Sequence, residues 1–277
     1  MAKTNQVSIY AAVMKPARVD TNRTRATAAV MIMRGDRDSG DPNTQPRRDY
    51  PMIASKDPKI VADMANWEEN DIVLIKGVLV TKTVQYVSIC ERCGAQNQST
   101  GMLTYIEPIH VMTIKHTNSQ EEAIDEIYRN REISNEMRIV GTLCNDPIEK
   151  KLSRTTLCTY QLAVPRTYRI KGSTDEEKID FPFIKSYGKN AKEDVKRIKS
   201  GSLVLIDGYL QTRTIKNEIE CNYELADGSI CGNKYFSKNS LMEVVPFEIE
   251  YLRNYVTDED LGIEKDFVDA FKEIEDE

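Results

Sequence analysis

The segment GSLVLIDGYLQTRTI, residues 201–215, carries the strand pattern on which the fold assignment depends. Between Leu203 and Arg213 two sets of side chains alternate with a period of two, which predicts a strand with one face in a core and the other available for contact. Gly208 lies near the middle of this pattern, where a sharp bend or a close backbone approach favours a residue without a side chain. The segment therefore predicts a long, bent strand.

The same pattern occurs in the first half of the chain, as NDIVLIKGVLVTKTV from Asn70, with Gly77 in the place of Gly208. Two further pairs of segments repeat in the same order and at nearly the same offset. They are NQVSIYAAV from Asn5 with NEMRIVGTL from Asn135, and DYPMIAS from Asp49 with DFPFIKS from Asp180. Three matched pairs in one order indicate a duplicated domain.

Each copy has mainly strand signals, with one helix-like stretch between its third and fourth strands. The helix-like stretches are KDPKIVADMANWEEN and KNAKEDVKRIKSG. This order is typical of a small Greek-key barrel of the OB type. We therefore predict a mainly β chain with two tandem OB-fold barrels, 1–116 and 135–256. A short linker helix is expected within 117–134, where Ser119 and Glu122 form a capping box, and an acidic tail follows at 257–277.

Composition limits the class of protein. The chain has 277 residues, 40% of them hydrophobic and 30% charged, which is typical of a globular protein with real cores. Its N-terminus, MAKTNQVSIY, lacks the apolar region of a signal peptide, and no apolar run reaches bilayer length. We therefore expect a cytoplasmic protein. Six unevenly spaced cysteines favour reduced thiols or a metal over a disulfide framework.

The net charge of -6 is unevenly distributed. Residues 257–277 contain ten acidic residues and two lysines, so the rest of the chain is close to neutral and slightly basic. Such a tail is either a solvated helical segment or a docking segment, since Phe267, Val268, Phe271 and Ile274 have helical spacing. The overall charge therefore does not exclude a nucleic-acid partner.

The second copy has the residues that binding to single strands requires, namely aromatic faces for stacking and cations along the phosphate path. Four side chains of one strand alternate onto one face, and a basic loop and the adjoining hairpin add others. The candidate nucleic-acid-binding residues of this copy are Phe181, Phe183, Lys185 and Tyr187, then Arg166, Tyr168 and Arg169, then Arg213 and Lys216. The alternative is that Phe181 and Phe183 pack against a neighbouring domain, as aromatic side chains commonly do.

The first copy has a weaker form of this face. Tyr50 aligns with Phe181, but Met52, Ala54 and Lys56 occupy the positions of Phe183, Lys185 and Tyr187. Arg34 and nearby arginines in a polar loop remain as candidate phosphate ligands. The second copy is therefore expected to supply most of the affinity, with the first as a weaker binder or an assembly surface.

The second copy resembles the bacterial single-stranded DNA-binding protein family. The resemblance rests on NEMRIVGTLCNDPIEKKL, YQLAVPRTYR and IDFPFIKSYGKNAKEDVKRIKSGSLVLIDGYLQTRTI, and it covers residues 135–215. It implies OB barrels, sequence-tolerant coating of single-stranded DNA in replication, recombination and repair, and stacking by Tyr168, Phe181 and Tyr187. It also implies four OB domains per assembly, hence a homodimer, and recruitment of replication or repair proteins by the acidic tail. The tail departs from the family because it ends in Glu275-Asp276-Glu277 without a short apolar tip.

The cysteines suggest a degenerate zinc ribbon in the same loop of each copy. Cys90 and Cys93 form one zinc knuckle, whereas in the second copy Cys221 is followed by Glu224 and later by Cys231. Neither loop has four ligands, so metal-free relic loops are the favoured interpretation. Two routes to a complete site stay open: recruitment of His110 and His116 by the first loop, or a site made by Cys90, Cys93, Cys221 and Cys231 across the two domains.

Enzyme signals are weak. The chain lacks a P-loop and a dinucleotide-binding glycine motif, and it has only two histidines. A metal-dependent nuclease is not excluded by counting its 44 carboxylates, but no paired-acid motif suggests one. We expect a binding protein without catalytic activity. An RNA-binding OB protein and a non-catalytic replisome interaction module remain alternatives, since stacking does not separate RNA from DNA and fold alone does not fix function.

Overall fold

The structure is a computed structural model that describes residues 4–35, 47–153, 155–166, 168–171, 179–257 and 259–262. In the first half the strands are β1 Asn5–Val13, β2 Arg18–Val19, β3 Ala26–Met33, β4 Arg48–Asp49, β5 Met52–Ser55, β6 Asp71–Ile89 and β7 Gln96–His116, with helix α1 at Pro58–Met64. Helix α2, Gln120–Arg129, and a 3-10 turn at Arg131–Ile133 lead to the second half. There the strands are β8 Glu136–Leu143, β9 Ile148–Lys151, β10 Thr156–Pro165, β11 Ile179–Asp180, β12 Phe183–Tyr187, β13 Leu203–Glu220 and β14 Lys234–Arg253, with helix α3 at Gly188–Arg197.

Each half is a closed five-stranded barrel, which confirms the predicted fold class. In the first barrel β1 pairs with both β3 and β6, and in the second β8 pairs with both β10 and β13. Both barrels contain one parallel pairing, β5 with β7 and β12 with β14. This is the five-stranded Greek-key arrangement of an OB fold. Among the described residues, no helix is long and apolar enough to cross a membrane.

The two barrels join edge to edge through β1 and β8. These strands are antiparallel, with Asn5 opposite Ile139 and Ser8 opposite Glu136. Because Asn5 begins β1 and its counterpart Asn135 immediately precedes β8, this register relates the barrels by a pseudo-twofold axis. A single sheet path runs through β13, β8, β1 and β6, so the backbone hydrogen bonds of one barrel continue directly into the other.

The bends predicted at the two equivalent glycines are present. A register shift interrupts the hairpin pairing between Lys76 and Gly77, and another between Asp207 and Gly208. A Cβ atom on Gly77 would lie 2.5 Å from the carbonyl oxygen of Glu107. Such a contact is far inside van der Waals distance, so the backbone approach requires glycine at this bend.

The aliphatic faces of the strands form the barrel cores, and the short helices close them. Helix α1 contributes Ile60, Val61 and Met64, and the buried Trp67 follows it. Helix α2 lies within the predicted linker and packs Ala123 and Ile127 on the outside of the first barrel. The domain limits assigned from the sequence stay a prediction.

Candidate nucleic-acid interface

Strand β12 of the second barrel presents the predicted aromatic row. Phe183 and Tyr187, at its two ends, are half-buried, whereas Ile184 between them is buried in the core. Phe181, just before the strand, is 38% exposed. The side-chain amide of Gln211 on β13 donates a hydrogen bond to the Tyr187 hydroxyl at 3.4 Å, so the row reaches the base of the β13–β14 hairpin.

Lys185 lies in the same row but is not free to contact a phosphate. Its ammonium is buried and donates to both carboxylate oxygens of Glu243, at 2.8 and 3.1 Å. Arg213 also binds Glu243, through Nε at 3.1 Å and Nη2 at 2.9 Å, while its side chain remains 44% exposed. The role assigned to Lys185 from alternation alone is therefore corrected: it anchors β12 to β14, and Arg213 is the cation that reaches the surface.

The basic loop before β11 also serves the fold. Arg166 is 5% exposed and donates to both oxygens of the buried Asp180, at 2.8 and 2.6 Å. Tyr168 is half-buried and, with Ile170, packs on an apolar cluster of the first barrel. Within this loop, the exposed Arg169 keeps the surface position predicted for it. Arg166 is thus corrected to a structural cation, and Tyr168 has an interdomain packing contact that its basic neighbours did not indicate.

The first barrel contains the counterpart of this ion pair. Arg34 donates to the carboxylate of Asp49 at 2.6 and 3.1 Å, and its guanidinium lies over the Tyr209 ring of the second barrel at 5.2 Å. It is therefore corrected from a phosphate ligand to an interdomain contact. The arginine-containing loop that follows it, residues 36–46, lies outside the described residues.

Each barrel uses this aspartate to hold the other barrel's long hairpin. Asp49 accepts a hydrogen bond from the amide of Thr212 at 2.6 Å, and Asp180 accepts one from the amide of Thr81 at 2.8 Å. In return, the Thr212 hydroxyl accepts a hydrogen bond from the Tyr50 amide at 2.8 Å. The Thr81 hydroxyl accepts one from the Phe181 amide at 2.7 Å. This exchange was not predicted from the sequence, although the equivalent pairs Arg34–Asp49 and Arg166–Asp180 were a detectable signal.

This exchange places an exposed aromatic ring at the base of each hairpin. Tyr50, which is 45% exposed, lies beside Thr212, next to Arg213, while Phe181 lies beside Thr81. Lys216 is exposed farther along β13. The partly exposed aromatic residues between the two hairpin bases are thus Phe181 beside the first base, Phe183 and Tyr187 on β12, and Tyr50 beside the second base; together they are called the aromatic path.

The corresponding face of the first barrel is closed. Ala54 and Tyr105 occupy positions equivalent to Lys185 and Glu243, and both are buried with Val78 and Val80. Tyr168 covers this cluster. Burial raises the pKa of Tyr105, as expected for a phenol removed from water. The first barrel thus offers an apolar docking surface to the second barrel at the place where the second has its aromatic row.

The four cysteines of the two hairpin ends come together. The Sγ atoms of Cys90, Cys93, Cys221 and Cys231 all lie within 4.8 Å of one another. His116 binds Asp71 at the opposite end of its hairpin, and His110 pairs with Lys76. Lys76 lies roughly 45 Å along the chain from Cys90, which follows the end of β6, at about 3.3 Å per residue. The histidine route to a complete site is therefore wrong, and the cross-domain arrangement is the one that forms.

Residues 263–277, which include the apolar positions at helical spacing, lie outside the described residues. Among the last described residues, Thr257 and Asp260 form a capped turn through a 2.9 Å hydrogen bond from the Thr257 hydroxyl. The docking role of the tail remains a prediction.

Comparisons with known proteins agree with this geometry. The sequence model of the single-strand binding protein family matches residues 134–225, within the second barrel. The single-stranded DNA-binding protein 1 of Clostridium acetobutylicum is 29% identical over 120 residues, which cover 43% of this chain and 93% of that protein. The single-stranded DNA-binding protein of Aquifex aeolicus is 33% identical over 85 residues, 30% of this chain and 58% of that protein.

A solved structure extends the likeness to both barrels. The wild-type single-stranded DNA binding protein from Thermus aquaticus superposes with a TM-score of 0.55 and covers 91% of this chain and 95% of that chain. A deletion mutant of the same protein gives a TM-score of 0.54 and covers 92% of this chain. At 12% and 14% sequence identity these matches show the shared fold.

Proposed function

We propose that this chain, which belongs to the single-strand binding protein family, binds single-stranded DNA without reading its sequence. The observation that carries the proposal is the aromatic path of Phe181, Phe183, Tyr187 and Tyr50 between the two hairpin bases. Every base has a flat face that can stack on such rings, so the path tolerates any sequence. Binding of this kind requires no catalytic group.

Cations beside the path supply the phosphate contacts. Arg213 is half-exposed next to Tyr50, and Lys216 and Arg169 are exposed on the second barrel. Glu243 orients the Arg213 guanidinium without covering it. Each phosphate contact releases condensed counterions, so the affinity is expected to fall with added salt. The second barrel and the rim supplied by Tyr50 therefore form the binding face.

The test is a titration of a fluorescein-labelled oligo-dT, followed by anisotropy. Trp67, the single tryptophan, is buried in the first barrel's core and does not report stacking directly. Since stacking contributes about 1–3 kcal/mol per base, the double variant Phe181→Ala with Tyr187→Ala is expected to bind at least about 30-fold more weakly. Tyr128→Ala on helix α2 is the matched control, because Tyr128 is 45% exposed and lies off the path. Unchanged affinity of the double variant would overturn the proposed site.

The assembly is a homodimer with four OB barrels in this proposal. Strand β7 exposes Ile109, Met112 and Ile114 on the described surface, and apolar side chains in that position favour contact with a second copy. Light scattering of the purified chain at micromolar concentration is expected to give twice the chain mass of 31.6 kDa. A monomer at that concentration would contradict the dimer while leaving the binding face intact.

The acidic tail then recruits replication or repair proteins to coated single strands in the cytoplasm. Its ten acidic residues against two lysines support a contact with a basic surface. Deletion of residues 257–277 is expected to abolish capture of such partners by the DNA-bound protein and to leave oligo-dT affinity equal or higher. Retained capture after the deletion would place the recruiting surface elsewhere.

A further inference from the structure

The two long hairpins end at a common point, where residues 90–95 and 221–233 connect their strands. Between this point and the barrels, a cleft of about 640 Å³ separates the β6–β7 hairpin from the β13–β14 hairpin. Its lining includes Tyr86, Ile89, Tyr235 and Phe236. At the tips, Arg92 Nη1 donates to the Cys231 carbonyl at 2.8 Å. Two extended hairpins from different barrels therefore converge on the cysteines rather than along their whole length.

The positions of the four sulfur atoms fit a tetrahedral metal centre. Cys90 Sγ lies 3.9 Å from Cys231 Sγ, and Cys93 Sγ lies 3.5 Å from Cys221 Sγ. A zinc ion with Zn–S bonds of about 2.3 Å places its four sulfurs about 3.8 Å apart. Disulfide sulfurs lie about 2.05 Å apart, so both separations exceed a covalent bond. The observed spacing is that of four ligands around one ion.

Hydrogen bonds hold the first tip around its sulfurs and link it to the second. The side-chain amide of Asn233, in the second tip, donates to Cys90 Sγ at 3.4 Å. Within the first tip, the Gly94 amide donates to the Cys90 carbonyl at 2.8 Å, and the Cys90 amide donates to the Ala95 carbonyl at 2.9 Å. Partners of this kind orient the ligands of a metal site. Gly94 follows Cys93 with φ of 73°, a left-handed conformation that turns the chain around the sulfurs.

The second tip folds so that its two cysteines lie side by side despite nine intervening residues. The Cys231 amide donates to the Tyr223 carbonyl at 2.8 Å, and the Gly232 amide donates to the Cys221 carbonyl at 2.9 Å. Cys90, Cys221 and Cys231 are buried. Each tip thus supplies a preformed pair of ligands, and neither pair can complete a four-ligand site alone.

We propose that Cys90, Cys93, Cys221 and Cys231 bind one structural zinc ion that ties the tip of the first barrel's hairpin to that of the second. Four thiolates in a closed, tetrahedral, largely buried arrangement are a donor set that zinc prefers. The ion fixes the two hairpins at the end farthest from the β1–β8 junction. This proposal does not depend on DNA binding, since it rests on the sulfur geometry alone.

The experiment is metal analysis of the full chain, purified without a histidine tag and under reducing conditions. We expect one zinc ion per wild-type chain. The zinc content should be at least about tenfold lower in Cys93→Ser, which alters the first tip, and in Cys231→Ser, which alters the second. Cys144→Ser, which removes a partly buried cysteine outside the cluster, is the matched control and should keep one zinc. Trp67 emission and far-ultraviolet circular dichroism establish that each variant is folded.

A second measurement does not rely on variants. Removal of zinc from the wild-type chain by a chelator should increase amide hydrogen exchange in residues 86–99 and 217–238, with β1 and β8 unchanged. Cobalt added to the metal-free chain should give the intense visible bands of a tetrahedral thiolate site. Less than a tenth of an equivalent of zinc before and after reconstitution would overturn the proposal. So would iron in place of zinc, or full zinc retention by Cys231→Ser, which would confine the metal to the first tip.

Discussion

Substitution of Asp180 by alanine is expected to destabilise both barrels. Asp180 is fully buried, and its carboxylate accepts hydrogen bonds from the Arg166 guanidinium at 2.6 and 2.8 Å and from the Thr81 amide at 2.8 Å. Alanine removes the carboxylate to which the Arg166 guanidinium, only 5% exposed, is bound at 2.6 Å. Removal of one partner from a buried ion pair costs about 3–5 kcal/mol of unfolding free energy.

The assay is urea unfolding followed by two probes. Trp67 emission reports the first barrel, and far-ultraviolet circular dichroism reports both barrels. The unfolding free energy of a protein typically falls by about 1–3 kcal/mol per molar urea. The destabilisation of Asp180→Ala should therefore lower the urea concentration at the midpoint of unfolding by about 1 M or more. Because Asp180 belongs to the second barrel and binds Thr81 of the first, the Trp67 transition should shift together with the dichroism.

Two controls separate this contact from a general effect of the substitution. Glu193→Ala removes an acid that is 34% exposed and pairs with Lys196 and Arg197 of the same helix, so it should cost less than about 1 kcal/mol. The double variant Arg166→Met with Asp180→Leu should be more stable than Asp180→Ala, because it removes both members of the buried ion pair and fills their space with apolar side chains. A loss below about 1 kcal/mol for Asp180→Ala, or an unshifted Trp67 transition, would refute the coupling of the barrels through this residue.

Three further outcomes follow from the structure. Gly208→Ala places a Cβ 2.3 Å from the Val245 carbonyl oxygen and should cost about 1–3 kcal/mol in urea unfolding, with Gly101→Ala, where the nearest atoms belong to the Tyr86 side chain, as the milder comparison. Lys185→Met should lower stability while changing oligo-dT affinity less than about threefold, since its ammonium binds Glu243 rather than solvent. Burial raises the pKa of Glu107 from 4.5 to about 7, so the neutral form is favoured in the fold. The stabilisation that comes from this shift is fully present below pH 4.5 and is lost as the pH rises through 7. Between these two pH values, the unfolding free energy of the wild type should therefore fall by up to about 3 kcal/mol relative to that of Glu107→Gln. Urea unfolding of both proteins at the two pH values measures the difference.

The repeat made most of the fold predictable. Alternation over residues 203–213 and its counterpart around Gly77 predicted the long hairpins, their bends and hence the barrels, because a buried face imposes a period of two on the sequence. The helix within the predicted linker was similarly signalled by Ser119, whose hydroxyl accepts a hydrogen bond from the Glu122 amide at 3.2 Å. These features depend on neighbours along the chain or on one repeated pattern.

The candidate site was harder to predict because charged side chains fill two different roles. A lysine alternating with aromatic residues looks the same in sequence whether it faces solvent or, like Lys185, a buried glutamate on another strand. Arg34 and Arg166 likewise bind aspartates 14 to 15 residues away rather than phosphate. Tertiary pairing decides the availability of such cations, and a pattern within one strand does not contain that information.

The four-cysteine cluster could not be recognised from the sequence of either copy alone. Each loop considered by itself lacks two ligands, so an incomplete site was the natural interpretation of either sequence. The pseudo-twofold arrangement of the barrels directs both hairpins to one point, and Cys93 then lies 3.5 Å from Cys221 although 128 residues separate them. A site that is divided between repeats becomes visible only when the relation between the repeats is known.

An anisotropy titration of the unmodified full chain with oligo-dT, RNA of the same length and duplex DNA, each at two salt concentrations, measures single-strand binding directly. Oligo-dT is expected to bind more tightly than duplex DNA, because paired bases do not expose their faces to Phe181 and Tyr187, and its affinity is expected to fall with salt. Tighter binding of the RNA than of oligo-dT, equal or tighter binding of duplex DNA, or no measurable binding of oligo-dT would contradict single-stranded DNA binding as the function.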